Sequence, residues 1–149
     1  MKEAQKYRVK YASAQDIPSS EIPSSYDLRN ISGVNFVGRV KSQGQCGSCY
    51  SFAFINVIEN RLKLKHGIDK VPELSVQHLM NCNYMNEGCM GGWAAFNGFF
   101  AENAGLVEES CAPYKTESNK NECAKYSGCK EIARVSKTYK INPSNEEAI

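Results

Sequence analysis

The sequence has no long apolar run, no excess of one charge and few histidines. None of its apolar segments approaches the roughly 18–20 residues that a helix needs to cross a bilayer. The net charge is +2, and the 18 Lys and Arg residues are scattered among 16 Asp and Glu residues. This balance gives no sign of a nucleic-acid-binding surface or a polybasic membrane patch. We therefore predict neither a nucleic-acid partner nor a membrane partner.

The beginning of the sequence also lacks the apolar core of a signal peptide. Met1 is followed by Lys-Glu-Ala-Gln-Lys, and the next residues remain largely polar. If the protein is luminal, its targeting segment is expected upstream of Met1. Proline and serine cluster towards residue 25, and we interpret residues 1–21 as a linker or processing region.

Cysteine, by contrast, is abundant, with seven residues in a chain of 149. A reducing cytosol rarely retains such a density, whereas secreted and lysosomal domains use it for disulfide bonds. We therefore predict a lysosomal, vacuolar or secreted protein. The odd count matters as well, because three pairs leave one thiol over. A spare thiol in an oxidising compartment is either incidental or reactive.

The hydrophobic pattern predicts three helices. An apolar run that begins at Cys49 and becomes amphipathic predicts a long, mostly buried helix that stops at Gly67. A second, shorter helix is expected over residues 75–80, with Ser75 as its N-cap. A third is expected from about residue 93 to residue 102.

Strands are predicted at two places. Residues 34–37 form a short, apolar and β-prone segment that leads to the turn at residues 44–47. Residues 132–139 partly alternate between apolar and polar, which is typical of a strand. The final residues, 142–149, offer a cap and two acids for a first helical turn. We expect that the chain stops there in the middle of a fold.

Cys49 lies where a glycine-containing turn becomes the long helix. The N-terminus of a helix contributes partial positive charge and unpaired N–H groups, and both favour a thiolate over a thiol. The same N–H groups can stabilise the oxyanion that forms when a carbonyl is attacked. Gly44 and Gly47 allow a tight turn and the close approach of a peptide. Cys49 is therefore a candidate nucleophile.

Spacing alone also allows Cys46 and Cys49 to form a redox pair or half of a zinc site. Zinc would need a second Cys/His pair at matching spacing, whereas His66 and His78 stand alone. A redox pair would be expected in a thioredoxin-like βαβ context, which this region does not show. We predict no metal site, and the dithiol interpretation stays as the alternative.

Residues 46–50, Cys-Gly-Ser-Cys-Tyr, resemble the active-site signature of papain-family cysteine peptidases. The resemblance extends over about residues 22–139. Residues 22–30 resemble the mature N-terminus of the family, with Leu28 in place of the usual tryptophan, and residues 88–93 resemble its glycine-rich substrate wall. The resemblance implies an α+β, papain-like fold.

In that fold, residues 22–149 form the left domain, which carries the nucleophile. The resemblance implies a mainly helical domain with a long central helix, stapled by disulfide bonds. The second domain, a β-barrel, would be largely absent, since the chain would be truncated where this right domain begins. The disulfide pairs that the resemblance implies are Cys46–Cys89, Cys82–Cys123 and Cys111–Cys129. Composition and spacing by themselves leave the pairing open.

The resemblance also implies roles for the site residues. Cys49 corresponds to the nucleophile, and Gln43 corresponds to the glutamine whose side-chain amide stabilises the oxyanion together with the Cys49 backbone N–H. Peptidases of this class hold the substrate as an extended strand, which requires an exposed backbone edge. The residues implied for substrate binding are Gly47, Gly91, Gly92, Trp93 and Ala94.

Within the family, the sequence is most similar to the dipeptidyl peptidase I (cathepsin C) branch. Tyr50 follows the nucleophile where most relatives carry tryptophan, and residues 105–109, Gly-Leu-Val-Glu-Glu, resemble this branch closely. These enzymes remove dipeptides from free N-termini and bind chloride. The resemblance therefore implies a chloride ion at Trp93, Ala95 and Tyr139, although Trp-Ala-Ala at 93–95 departs from the usual Phe-Pro-Tyr. No other cofactor is predicted.

The general base is missing from the sequence. Thiolate chemistry needs a histidine oriented by an asparagine, and the family places them roughly 130–150 residues beyond the nucleophile. His66 would lie roughly 25 Å along the helix from Cys49, and His78 belongs to the second helix. We therefore expect two kinds of partner besides peptide or protein substrates. These are a right domain with the His and Asn, and an N-terminal exclusion domain that confers dipeptide specificity.

Three functional interpretations follow. The first is a dipeptide-releasing cysteine peptidase that is inactive as this chain alone, and the second is a papain-like endopeptidase with an open cleft. The third is a catalytically incomplete fragment that serves as a binding or structural module.

Overall fold

The computed structural model describes Ser20 and residues 23–139. The predicted linker, apart from Ser20, and the helical turn predicted at 142–149 lie outside the described residues. The described part contains three α-helices and one two-stranded sheet. These elements are α1 (Cys49–His66), α2 (Val76–Cys82), α3 (Ala94–Asn103), β1 (Leu106–Val107) and β2 (Glu131–Ala133). Short 3-10 helices cover Ile68–Lys70, Gly88–Met90 and Lys120–Tyr126.

Helix α1 is the long central helix that the sequence predicts. It begins at Cys49 and ends with Lys63, Lys65 and His66 in its last turn, where basic groups complement the helix dipole. Gly67 then adopts a φ of 98°, a value that favours glycine, and its N–H donates to the Lys63 carbonyl at 2.8 Å. The predicted start and stop are both confirmed.

Helix α2 is buried along its whole length. The Ser75 hydroxyl accepts the His78 N–H at 2.9 Å and donates to the Ala112 carbonyl at 2.6 Å. The first bond satisfies an amide at the helix start that has no intrahelical partner. The second bond ties this start to the segment after β1. The prediction of Ser75 as the N-cap is confirmed.

The strand predicted at residues 34–37 is wrong. The structure shows only an isolated bridge between Ile31 and Val34 in this region. The Phe36 N–H donates to the Leu28 carbonyl at 2.9 Å, and the Val37 N–H donates to the Asn35 side chain at 2.9 Å. Local bonds therefore satisfy this backbone, and a short apolar run does not by itself specify a strand.

The second predicted strand is shorter than the pattern suggested. Of residues 132–139, only the first two belong to β2, which pairs antiparallel with β1. Beyond Ala133 the chain turns to helix α3, where the Val135 N–H donates to the Ala101 carbonyl at 3.3 Å. The Arg134 guanidinium also donates to the Glu102 carbonyl at 3.2 Å. These bonds to a helix end replace the expected strand pairing.

The three α-helices and β1 enclose one core. Its buried side chains include Ile55 of α1, Leu79 and Met80 of α2, Ala101 of α3 and Leu106 of β1, each at most 1% exposed. Complete burial of an aliphatic side chain of this size contributes about 2 kcal/mol to stability. No helix within the described residues is long and apolar enough to span a bilayer.

Three disulfide bonds staple this core to the irregular segments. They are Cys46–Cys89, Cys82–Cys123 and Cys111–Cys129, the pairs that the family resemblance implies. The first joins the turn before α1 to the 3-10 helix Gly88–Met90, and the second joins the end of α2 to the 3-10 helix Lys120–Tyr126. Each is worth on the order of 2–4 kcal/mol in a domain of this kind.

Candidate active site

Cys49 is the first residue of helix α1, and its side chain is exposed. The seven cysteines all lie within the described residues, and Cys49 is the one without a disulfide bond. Because Cys46 is bonded to Cys89, the alternative Cys46–Cys49 redox pair does not form in this structure. The odd cysteine count predicts one spare thiol, and the structure shows that this thiol is Cys49 at the start of α1.

The start of helix α1 leaves a backbone donor beside this thiol. The N–H groups of Ser51 and Phe52 donate to the Ser48 carbonyl at 2.9 and 3.1 Å. The Cys49 N–H has no acceptor among the hydrogen bonds of residues 23–139. A free amide at a helix N-terminus is suited to bind an anion or an oxyanion.

Gln43 lies in the same turn and brings an amide side chain to it. Its Nε2 atom donates to the Cys46 carbonyl at 2.7 Å. A primary amide carries two N–H bonds, so one remains available after this contact. The structure thus holds the Gln43 amide in the turn that precedes Cys49 and leaves a second donor for a ligand.

Gly47 connects this turn to the segment at residues 88–93. Its N–H donates to the Cys89 carbonyl at 2.9 Å, and a Cβ at this position would meet the same oxygen at 2.6 Å. Together with the Cys46–Cys89 disulfide, this contact requires a residue without a side chain. The position of Gly47 is therefore explained by packing, and its predicted substrate contact stays a prediction.

Gly91 and Gly92 expose backbone next to this connection. Gly91 has a φ of 116°, and its carbonyl accepts the Glu87 N–H at 3.0 Å. The N–H and carbonyl of Gly92 are unpaired among the described residues. A Cβ at Gly92 would come within 2.8 Å of the Tyr50 ring and would also overlap the Asn86 amide. Only glycine fits, and it leaves a backbone edge free.

A buried amide network, which no sequence pattern indicates, supports the segment at residues 88–93. Asn97 of α3 is fully buried, and its Nδ2 donates to the Ser51 hydroxyl at 3.1 Å. Its Oδ1 accepts from the side chains of Asn83 at 3.0 Å and Asn86 at 2.9 Å. Asn86 in turn accepts the Trp93 N–H at 2.8 Å. The network links the first turn of α1 to the end of the glycine segment.

Tyr114 is a second residue that the sequence analysis did not select. Its hydroxyl lies 2.6 Å from the Gln43 carbonyl and 2.7 Å from the Ser48 hydroxyl. Its ring packs edge-on against Phe52 of α1, with 4.9 Å between the ring centroids. Because 71 residues separate Tyr114 from Gln43, no local pattern indicates this contact. The one local signal is the Pro113-Tyr114 pair after the bridged Cys111.

The residues predicted for side-chain recognition and chloride share one pocket. Trp93, Ala94, Ala95 and Tyr139 line an open cavity of about 640 Å³. Trp93 is 72% exposed, and the Lys137 ammonium lies 5.3 Å from the centroid of the Tyr139 ring. The other lining residues are Phe54, Val57, Ile58, Arg61, Phe96, Val135, Lys137 and Thr138.

Neither histidine meets Cys49. His66 is exposed at the opposite end of α1. His78 is buried in α2, and its ring contacts those of Phe100 and Tyr126 at centroid distances of 5.3 and 6.1 Å. Burial lowers the pKa of His78 to about 4. Its burial and ring contacts place His78 in the core, where its Nδ1 atom has no hydrogen-bond partner among the described residues.

Comparisons with known proteins point to one family. A family model described as "Papain family cysteine protease" matches residues 22–149. Pro-cathepsin H from Bos taurus is 37% identical over 131 residues, which cover 85% of this chain and 37% of the relative. Cathepsin S from Bos taurus is 34% identical over 137 residues, which cover 89% of this chain and 39% of the relative.

A solved structure is also similar to this chain. A recombinant stem bromelain precursor superposes with a TM-score of 0.70 at 32% identity, covering 85% of this chain and 39% of that chain. The chain therefore spans less than two fifths of the length of each of these three relatives. The free thiol at the start of the central helix, the papain-like helical domain and the family match agree: this chain belongs to the papain family of cysteine proteases.

Proposed function

We propose that this chain supplies the nucleophile of a cysteine peptidase that hydrolyses peptide bonds through an acyl-enzyme on Cys49. The observation that carries the proposal is the exposed, unbridged thiol at the first residue of an 18-residue helix. A thiolate at a helix start is both accessible and electrostatically favoured. The family match adds that proteins with this fold carry out thiol-dependent proteolysis.

In the proposed reaction, the Cys49 thiolate attacks the carbonyl carbon of the substrate. A carbon–sulfur bond forms, and the carbonyl electron pair moves to the oxygen. The Cys49 N–H and the second N–H of the Gln43 amide would stabilise that oxyanion. When the intermediate collapses, the peptide carbon–nitrogen bond breaks and the amine leaves with a proton from an imidazolium. Water then hydrolyses the thioester.

The imidazole has to come from another part of the enzyme. His66 and His78 are the two histidines of the sequence, one exposed at the far end of α1 and the other buried in α2. We therefore propose that a right domain supplies a histidine and an asparagine that orients it. Without that domain, this chain would show little or no turnover.

The backbone edge at Gly92 supports extended binding of the peptide. Its free N–H and carbonyl can pair with the backbone of a substrate residue, since no side chain at Gly91 or Gly92 blocks the approach. The neighbouring cavity bordered by Trp93 and Ala94 would then accept the side chain of the substrate's second residue.

We propose dipeptide release from free N-termini as the finer specificity. Tyr50 after the nucleophile and the segment Gly-Leu-Val-Glu-Glu at 105–109 support the dipeptidyl peptidase I branch. An exclusion domain would block the cleft beyond two substrate residues and hold the free amino group. None of the three relatives named above is a dipeptidyl peptidase by name, and an open cleft would make the enzyme an endopeptidase.

A chloride ion is proposed for the cavity that Trp93, Ala95 and Tyr139 line together. The Tyr139 hydroxyl can donate to an anion, and two basic residues, Arg61 and Lys137, also line the cavity. If the ion is bound there, turnover depends on chloride and Tyr139→Phe weakens that dependence. Equal activity in chloride and in a non-coordinating salt would argue against it.

The three disulfides support a lysosomal, vacuolar or secreted location. Such bonds persist in oxidising compartments and are rare in the cytosol. Retention of all three bonds in protein isolated from its source would support this location, whereas a reduced protein would contradict it.

The test of the nucleophile is labelling with an electrophilic dipeptide probe in the presence of the histidine-bearing domain. Peptide mapping should place the label on Cys49, and Cys49→Ser should abolish it. Gln43→Ala provides a matched comparison, because it removes the amide donor but keeps the thiol. A label on a different cysteine, or equal labelling of the Cys49→Ser variant, would contradict the proposal.

Specificity is tested with one peptide in two forms. A peptide with a free N-terminus should lose its first two residues as a dipeptide, while the N-acetylated form should resist cleavage. Internal cleavage of the acetylated form would identify an endopeptidase. Tight peptide binding by the reconstituted enzyme without any cleavage would instead favour the third interpretation, a binding or structural module.

A further inference from the structure

Tyr114 holds both ends of the turn that precedes the nucleophile. Its hydroxyl has a single hydrogen, and the Gln43 carbonyl can only accept, so Tyr114 donates to Gln43 at 2.6 Å. The Ser48 hydroxyl must then donate to the Tyr114 oxygen across 2.7 Å. The bonds form a directed chain from Ser48 through Tyr114 to Gln43.

Tyr114 is itself held in place by its neighbours. Its N–H donates to a Glu109 carboxylate oxygen at 2.8 Å, and its ring contacts Phe52 of α1. Ser48, at the other end of the turn, is fully buried. Such an arrangement gives the Gln43 backbone a rigid support, since a chain of satisfied bonds resists displacement more than an isolated bond.

We infer that Tyr114 is a positioning residue that holds the Gln43 amide where the oxyanion forms. This inference rests on the proposed function of Cys49. With the Gln43 carbonyl anchored by Tyr114 and its Nε2 bound to the Cys46 carbonyl, the residue is restrained at both ends. Loss of the Tyr114 hydroxyl frees the backbone end, and the amide then stabilises the oxyanion less well.

Two reactions of the same thiol separate this role from general support of the fold. Acylation by a peptide ester forms a tetrahedral oxyanion before the ester oxygen leaves. Alkylation by iodoacetamide forms a carbon–sulfur bond as iodide leaves, and no oxyanion appears. A residue that acts through the Gln43 amide therefore affects acylation and spares alkylation.

The experiment measures both rates for Tyr114→Phe in the complex of this chain with the histidine-bearing domain. We expect acylation to slow about tenfold, with a change in kcat rather than in KM, while alkylation stays within about twofold of the wild-type rate. In a Gln43→Ala background, Tyr114→Phe should add almost nothing, because the two residues act as one unit.

Two variants serve as controls for packing. Ser48→Ala removes the donor to Tyr114 but keeps the bond from Tyr114 to Gln43, so we expect acylation to slow less than it does with Tyr114→Phe. Phe52→Leu removes the ring contact and keeps the hydroxyl, and it should lower thermal stability while sparing the ratio of acylation to alkylation. If Tyr114→Phe folds poorly, the ratio of acylation to alkylation can still be measured for Ser48→Ala and Phe52→Leu.

The possible results separate failure of the positioning role of Tyr114 from failure of the proposed peptidase function. Equal slowing of acylation and alkylation by Tyr114→Phe, or fully additive effects with Gln43→Ala, would overturn the positioning role alone. Slowing of acylation by Ser48→Ala as large as that by Tyr114→Phe would also overturn it. A wild-type complex that never acylates would contradict the proposed function and the inference together.

A separate surface feature carries a second inference that does not depend on catalysis. Asn30, Ile31 and Ser32 form the one Asn-x-Ser or Asn-x-Thr triplet of the sequence whose middle residue is not proline. Asn30 is exposed in a turn, where its Oδ1 accepts the Gly33 N–H at 3.1 Å. Its Nδ2 donates to no atom of residues 23–139, so the amide nitrogen faces solvent unpaired.

We also propose that Asn30 carries an N-linked oligosaccharide. The three disulfides indicate the oxidising secretory compartments in which such glycans are added. The donor is an oligosaccharide linked to a lipid pyrophosphate. A bond forms between Asn30 Nδ2 and the anomeric carbon, the carbon–oxygen bond to the pyrophosphate breaks, and the nitrogen gives up one proton to a base of the transferase.

The turn is compatible with this modification after folding. The hydrogen bonds of Asn30 are to Asp27 and Gly33, and neither residue belongs to the candidate active site. A sugar on Nδ2 would therefore extend into solvent without breaking a bond of the Gln43–Cys49 turn. Asn142-Pro143-Ser144 offers an internal comparison, since proline at its centre disqualifies it as an acceptor.

The test is secretion of the full chain from a eukaryotic cell behind an added signal peptide, with a reference acceptor triplet appended to one terminus. Removal of the glycan by a peptide glycosidase in heavy-oxygen water should convert Asn30 to labelled aspartate and leave Asn142 unlabelled. Ser32→Ala should abolish the label at Asn30, and Ser32→Thr should preserve it. An unmodified Asn30 in a chain whose reference triplet is glycosylated would overturn the proposal.

Discussion

Glu59 and Lys41 form an ion pair inside the protein, with 3.3 Å between Glu59 Oε1 and Lys41 Nζ. Their side chains are only 2% and 11% exposed. Glu59 Oε1 also accepts the Leu74 N–H at 2.7 Å, just before the N-cap of α2, and Lys41 lies two residues before Gln43. The pair thus connects the central helix to the segment that leads into the candidate site.

Loss of the Glu59 charge should destabilise the chain strongly. Glu59→Gln keeps a neutral acceptor for Leu74 and Lys41 but removes the buried negative charge, so that Lys41 keeps only its 3.4 Å ion pair with Glu73 among the described residues, and we expect a loss of about 3 kcal/mol. Urea unfolding at neutral pH measures the change. Asp27→Asn, in the exposed pair with Arg29, is the matched control and should leave stability unchanged. A Glu59→Gln variant as stable as the wild type would refute this prediction.

The buried His78 predicts a loss of stability in acid. Its pKa is about 4 in the folded protein against an ordinary value of 6.5, because burial disfavours the charged ring. Below pH 6.5 the unfolded chain binds a proton that the folded protein does not. The free energy of unfolding therefore falls as the pH drops from 6.5 to about 4, by up to about 3 kcal/mol, and this contribution levels off below pH 4.

His78→Phe isolates this contribution to acid sensitivity. Phenylalanine keeps an aromatic ring against Phe100 and Tyr126 but cannot bind a proton. We expect the difference in unfolding free energy between variant and wild type to widen as pH falls from 6.5 to 4. His66→Gln changes an exposed histidine and should leave the pH profile as it is. Parallel profiles for His78→Phe and the wild type would count against the buried, neutral His78.

Gly92→Ala should damage the glycine wall. Its Cβ would lie 2.8 Å from the Tyr50 ring and would overlap the Asn86 amide, so the wall or the first turn of α1 must shift. We expect a loss of about 1–3 kcal/mol in stability, typical of overpacking, and weaker peptide binding in the reconstituted enzyme. Gly128→Ala places a Cβ in open space and is the control. Unfolding and binding curves as good as those of the wild type would disprove the close fit.

Asn97→Ala should weaken the buried amide network. It removes the acceptor of the Asn83 and Asn86 side chains and the donor to Ser51, leaving polar groups unsatisfied in the interior. We expect a loss of about 2–4 kcal/mol. Asn103→Ala, at the exposed end of the same helix, should have little effect. If both variants unfold at the same denaturant concentration, the network does not contribute as described.

Thiol titration tests the pattern of bridges. The native chain should react at one thiol, and the unfolded and reduced chain should react at all seven cysteines. Cys111→Ser with Cys129→Ser removes the shortest loop, which spans 18 residues, at a loss of about 3 kcal/mol, and native Cys49 should still titrate. Native protein without a reactive thiol would be incompatible with an exposed, unbridged Cys49.

Local features of the fold follow from neighbouring residues. The start of α1 at Cys49, its stop at Gly67 and the Ser75 cap of α2 each depend on a few consecutive side chains. The failed strand at 34–37 shows the limit of such inference, because an apolar run indicates burial and does not indicate a pairing partner. Strand β1 was not predicted, because a strand of two residues shows no periodicity.

The residues of the candidate site also differ in how far the sequence indicates them. Cys49 and Gln43 lie six positions apart, so a local motif identifies both. The Tyr114 hydroxyl reaches Gln43 across 71 residues, and Asn97 reaches Ser51 across 46. Contacts of this kind depend on how helices and loops pack, and the intervening sequence does not encode them in any periodic pattern.

By itself, the sequence determined the odd cysteine count, the helix that begins at Cys49 and the glycines that leave backbone uncovered, because parity, caps and backbone freedom are local properties. Its resemblance to the papain family added the family, the disulfide pairs and the site roles. Only the tertiary structure decided that Tyr114 supports the Gln43 turn and that Asn97 ties α1 to the glycine wall. The physical reason is that distant side chains meet only once the core has closed around them.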